Sequence, residues 1–143
     1  MAYLNVIEVE SAILALSSTY PGQCELITLP NTTHEGRTSH AIRIANGPLD
    51  NRPATLFIGG QHAREWGSCE ICINLAADLL EAYTIGTGVS YGGKAFTSAQ
   101  VQNVVNNMQL FIFPCVNPDG RNFSQTSNAM WRRNRNPVAA VDV

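Results

Sequence analysis

Ala54-Thr55-Leu56-Phe57-Ile58-Gly59-Gly60-Gln61-His62-Ala63-Arg64-Glu65-Trp66 is the most informative stretch of this chain. Residues 54–58 are short and apolar without polar alternation, which predicts a strand covered on both faces. Gly59-Gly60 lets the chain turn sharply with no Cβ penalty. A helix is then expected to begin near Glu65. Beyond it Cys72, Leu75, Ala76, Leu79, Leu80 and Tyr83 keep a 3.6-residue period. A strand leaving through a glycine pair into a helix is an α/β unit, and chemistry in such sheets gathers beyond the carboxyl ends of strands.

The flanking segments agree. Asn5 with Glu8 has the form of a capping box, and Val6, Val9, Ile13, Leu16 and Tyr20 form one helical stripe ended by Pro21-Gly22. Residues 24–29 and 38–45 read as two strands of a hairpin around the polar turn 30–36, followed by a Gly- and Pro-rich loop over 46–53. Residues 84–97, with four glycines, read as a mobile loop. Ser98 is placed to cap a short helix carrying Val101, Val104, Val105 and Met108. Residues 110–116 read as a second buried strand, ending in Asn117-Pro118-Asp119-Gly120. Helices alternating with buried strands imply an α/β layered sheet.

Composition narrows the function classes. The chain has 143 residues, 45% hydrophobic and 14% charged, with a net charge of −2. That is room for one domain, with no electrostatic case for nucleic acid or an anionic membrane. No apolar run is long enough to span a bilayer, and residues 1–10 lack the pattern of a signal peptide. Cys24, Cys69, Cys72 and Cys115 are too few and scattered for a disulfide scaffold. Cys69 and Cys72 form a C-x-x-C, but inside a helical stretch and without a second pair to complete a zinc knuckle, so they read as small apolar helix residues.

His62 and Glu65, three apart at a strand exit, can point the same way and supply part of an open zinc site. The same pair could equally be a capping glutamate beside a solvated histidine. Arg132, Arg133 and Arg135 could bind an anion, stabilise an oxyanion near a metal, or form a solvated face.

Taken together, three segments closely resemble the zinc carboxypeptidases of the carboxypeptidase A type, in order and in interval. They are Gly59 to Trp66, then Val116-Asn117-Pro118-Asp119-Gly120-Arg121, then Trp131-Arg132-Arg133-Asn134-Arg135. The resemblance implies a three-layer α/β/α domain with a mixed, largely buried sheet, and Zn2+ as cofactor, with His62 and Glu65 as its first two ligands. It makes Arg132 the group that polarises the scissile carbonyl, and Arg64 a contact to substrate away from that bond. Asp142, in the segment 139–143, would accept a hydrogen bond from His62 and orient it. Asn117 to Gly120 would be a turn shaping the pocket wall. His34 and His40 match no ligand position.

In that family the Asn-Arg pair for the substrate carboxylate, the third zinc ligand and the general-base glutamate lie further along the chain. The expectation is therefore that residues 1–143 are the N-terminal half of one catalytic domain. A complementary C-terminal fragment would be its partner, and a peptide with a free C-terminus its substrate. Alone, this half should bind zinc weakly, hydrolyse nothing, and leave an unpaired sheet edge at its terminal strand. H-x-x-E by itself also admits a zinc amidohydrolase acting on amino-acid derivatives or cell-wall peptides, or a catalytically dead binding module.

Overall fold

The computed structural model describes residues 3–139. The chain opens with helix α1 (Val6–Thr19), held by the expected capping box. Asn5 accepts from the backbone N–H groups of Ile7 and Glu8, and the Glu8 carboxylate accepts from the Asn5 N–H at 2.7 Å. These bonds satisfy donors that every helix start leaves open. Val6, Val9 and Ile13 are the buried stripe of α1.

Strands β1 (Cys24–Thr28) and β2 (His40–Ile44) pair antiparallel from Cys24 opposite Ile44 to Thr28 opposite His40, the expected hairpin. Strand β3 (Ala54–Ile58) leads to helix α2 (Gly67–Ile85). A two-stranded hairpin follows, β4 (Val89–Tyr91) with β5 (Lys94–Phe96), then helix α3 (Ser98–Asn107), strand β6 (Gln109–Phe113) and helix α4 (Pro118–Thr126). The main sheet has the order β1-β2-β6-β3, with β6 antiparallel to β2 and parallel to β3. It is the mixed sheet expected of the class. Its core side is closed by α1, α2 and α3, which bury Val9, Ile13, Ala76, Leu80, Val101 and Val105 against Ile42, Ile44 and Ile112.

Four local readings are corrected. Strand β3 is not covered on both faces: among the described residues it is a sheet edge, with Leu56 64% and Ile58 48% exposed. An apolar run reports what a strand is meant to touch, and the described part of the chain supplies cover only for the central strands. The glycine-rich stretch 84–97 is a hairpin and not a loop. Gly92 and Gly93 both take positive φ, 55° and 80°, the backbone that a tight two-residue hairpin turn demands. Helix α3 is capped by Thr97, one residue earlier than expected, in a box with Gln100. Asn117-Pro118-Asp119-Gly120 is the start of α4 and not a free turn, with Asn117 as cap and Pro118 at the first helical position, where its missing N–H costs nothing.

Candidate functional site

The chain crosses from β3 to α2 over the parallel neighbour β6. Gly59 and Gly60 are dictated by that crossing. A Cβ on Gly59 would stand 2.7 Å from the Ser68 carbonyl oxygen and 2.8 Å from that of Pro114. Gly60 takes φ 59°, and a Cβ there would stand 2.8 Å from the Cys69 sulfur. The turn is laced to the loop after β6, where Val116 and Asn117 donate backbone N–H bonds to the carbonyls of Gly59 and Gly60, both at 3.0 Å. The Ser68 hydroxyl accepts from the Gly60 N–H and donates to the Glu65 carbonyl.

On this turn, ahead of α2 and not yet in it, stand His62 and Glu65. The imidazole Nδ1 lies 2.9 and 3.0 Å from the two carboxylate oxygens of Glu65. The Glu65 N–H closes a tight turn onto the His62 carbonyl. Arg132 comes from 70 residues further on and sets its Nη2 2.8 Å from His62 Nε2. Its carbonyl accepts from the Ala63 N–H at 2.9 Å, so backbone as well as side chain joins the two segments. Three of the expected site residues therefore meet. Arg64 is exposed on the same turn. Asp142 lies outside the described residues.

Asn117 ties the three segments together, a role that reading it as a pocket wall missed. Its Oδ1 accepts from the Gly120 N–H at 3.0 Å, while Nδ2 donates to the carbonyls of Gln61 and Arg133 at 3.3 and 3.2 Å. One side chain thus caps α4 and holds both the His62 turn and the Arg132 loop. Gly120 makes room for it: a Cβ there would stand 2.6 Å from the Asn117 amide and 2.7 Å from the Arg133 carbonyl oxygen.

The structure also separates the three arginines, which the sequence left equivalent. Arg132 faces His62. Arg135 instead lies 3.8 Å from the ring centre of Phe123 and 5.0 Å from that of Trp131, in ion-pair contact with Glu35. Arg133 lies 5.5 Å from the Trp131 ring centre. These two hold the loop through cation–π contact, leaving Arg132 as the one aimed at the histidine. The fourth cation, Arg121, is buried under the turn. It donates to the carbonyls of Leu4 and Trp66 and to the Cys69 sulfur, and pairs with Glu70 at 3.1 Å. Asp119 anchors the 30–37 turn by accepting from Thr33, the Glu35 N–H and Arg37. The hydrogen bond to Glu35, helped by Asp119, holds the Arg37 guanidinium above its ordinary pKa. His40 pairs with Glu10 at 2.6 Å, and His34 lines a cleft beside Asn117.

His62 Nδ1 and the Glu65 carboxylate converge, as two ligands of one small cation must. Among the described residues, however, no group of three or more His, Cys, Asp or Glu side chains is placed to hold a metal ion. The donor set fits two of the three protein positions of an open zinc site.

Comparison with known proteins gives this arrangement its class. A profile of the zinc carboxypeptidase family matches residues 9–143. The chain belongs to that family. Metallocarboxypeptidase A of Trichophyton tonsurans is 40% identical over 106 residues, covering 73% of this chain and 22% of that protein. Carboxypeptidase A2 of Rattus norvegicus is 31% identical over 134 residues, covering 94% of this chain and 28% of that protein. Among solved structures, thrombin activatable fibrinolysis inhibitor superposes with a TM-score of 0.77 at 25% identity, over 94% of this chain and 30% of that one. Carboxypeptidase A of Helicoverpa armigera shares the fold with a TM-score of 0.76 at 20% identity, over 94% of this chain and 29% of that one. The chain therefore spans less than a third of the length of each of these relatives.

Proposed function

We propose that residues 1–143 are the N-terminal half of a metallocarboxypeptidase catalytic domain. The whole enzyme removes C-terminal residues from peptides. The observation that carries this reading is the convergence of His62, Glu65 and Arg132 on one turn, inside the family's own sequence pattern. His62 and Glu65 would hold zinc, with the third ligand supplied by the remainder of the domain. When bound, such an ion supplies Lewis-acid polarisation of the carbonyl and a water acidic enough to act as nucleophile near neutral pH.

The residues of this chain orient and neutralise. Arg132 presents a guanidinium whose N–H groups can meet the oxygen of the scissile carbonyl as it gains charge, and a fixed donor of this kind is worth about 10²–10³ in rate. An imidazole that accepts from Arg132 at Nε2 carries its proton on Nδ1. Ligation through Nδ1 calls for the other tautomer, whose Nε2–H would donate a hydrogen bond to Asp142. Arg64, exposed beside the pair, would hold the substrate chain upstream of the cleaved bond.

The test uses the longer polypeptide containing this half. It should release the last residue from a peptide with a free C-terminus and leave the amidated peptide intact. A chelator or His62→Ala should abolish release, and Arg132→Ala should lower kcat by about 10²–10³ with little change in KM. Cleavage of the blocked peptide would point to an amidohydrolase. Zinc binding without hydrolysis of either peptide would point to a binding module. The 143-residue chain alone should show weak zinc uptake and no turnover. Stoichiometric zinc with turnover would overturn the half-domain reading.

A further inference from the structure

Beneath the Gly59-Gly60 turn lie two cysteines to which the proposed chemistry assigns no task. Cys69 sits in the first turn of α2 and Cys115 in the loop after β6; both are free and buried. Their sulfurs flank a single point: a Cβ on Gly60 would stand 2.8 Å from the Cys69 sulfur and 3.3 Å from that of Cys115. The Cys69 sulfur also accepts a hydrogen bond from Arg121 Nη1 at 3.1 Å. Arg121 is itself 1% exposed, so this donor is a built part of the interior.

We propose that Cys69 and Cys115 are a peroxide-reactive dithiol that closes to a disulfide under the turn bearing His62. The proposal stands apart from the peptidase reading and does not depend on it. Cys69 is the nucleophile: the neighbouring Cys115 thiol and then Arg121 hold it below the ordinary thiol value against the opposing effect of its own burial, whereas burial pushes Cys24 and Cys72 up with nothing comparable to offset it. The Cys69 sulfur attacks hydrogen peroxide: an S–O bond forms, the O–O bond breaks, and the departing hydroxide takes a proton and leaves as water. The Cys115 sulfur then attacks the resulting sulfenic acid, forming the S–S bond and releasing a second water. Two thiols lose two electrons to one peroxide. The new bond joins α2 to the β6 loop across the floor of Gly60 and fixes that floor covalently.

The experiment treats the 143-residue chain with hydrogen peroxide in native buffer. It is then quenched in denaturant with an alkylating reagent, and the cysteine peptides are mapped by mass spectrometry. The expected product lacks two hydrogens, joins Cys69 to Cys115, and leaves Cys24 and Cys72 alkylated. Because the bond closes a long loop, the oxidised chain should melt about 5 °C or more above the reduced one. Cys69→Ser and Cys115→Ser should each abolish the cross-link. The same treatment in urea should give a mixture in which the neighbouring Cys69–Cys72 pair competes. A native sample that gives the urea mixture, a Cys69–Cys72 bond, or alkylated thiols at both Cys69 and Cys115 would overturn the proposal.

Discussion

Asn117 shows how much one amide can hold. It caps α4 with its oxygen and grips two carbonyls with its nitrogen, one on each loop that carries a candidate site residue. Removing an N-cap costs about 1 kcal/mol, and each lost side-chain bond adds about 0.5–1.5. Asn117→Ala should therefore cost about 2–4 kcal/mol in urea denaturation of the chain. Asn117→Asp keeps the cap acceptor but turns a carboxylate toward two carbonyls, and should cost as much. If the aspartate variant were as stable as the parent, the grip on Gln61 and Arg133 would be of no account. Gly120→Ala drives a methyl into the same amide and the Arg133 carbonyl, and at least about 2 kcal/mol is expected, read by the same titration.

Among the elements, β1 carries a pH dependence. Burial pushes the Cys24 thiol up to about 11 from 9.0. An acid that is weaker in the folded state binds more protons there than in the unfolded chain, so its contribution is intact below pH 9 and is lost as pH rises toward 11. Stability measured by urea titration across that window should fall by up to about 2–3 kcal/mol on this account. Cys24→Val should flatten the decline without abolishing it, since Cys72, Cys115 and Tyr91 move the same way. An unchanged slope would remove Cys24 from the explanation. Local signals carried most element assignments: the Asn5 box, the α2 periodicity and the β1-β2 hairpin were all legible in the sequence. The β4-β5 hairpin was not, because four glycines in a short stretch signal a break more loudly than three-residue strands signal pairing. The start of α4 was hidden in the same way, since Asn-Pro-Asp-Gly serves a turn and a capped helix equally well. Within the site, His62, Glu65 and Arg132 stood out through their pattern. Asn117 and Arg121 were quoted in that pattern, yet their work depends on carbonyls far away in sequence that no local reading reaches.

At the scale of the whole molecule the decisive feature among the described residues is the open edge at β3. The edge expected at residues 139–143 lies outside the described residues except for residue 139; among the described residues β3 is an edge, with Leu56, Phe57 and Ile58 all exposed. Such an edge invites pairing with another chain. The 143-residue chain should therefore self-associate at micromolar concentration, and Leu56→Lys should return it toward monomer in sedimentation velocity. A parent chain that stays monomeric would show the edge to be self-protected. The distance between partners in sequence has a further consequence during synthesis. His62 waits for Arg132, 70 residues downstream, and at ribosomal speeds of about 5–20 residues per second that wait is roughly 4–14 s. For roughly the first 50 of those 70 residues, until β6 (Gln109–Phe113) follows, the Leu56-Phe57-Ile58 strand has left the ribosome without β6 to pair with. The nascent polypeptide is then a natural client for chaperones that bind apolar segments, and slower translation between codons 66 and 116 would lengthen its stay with them.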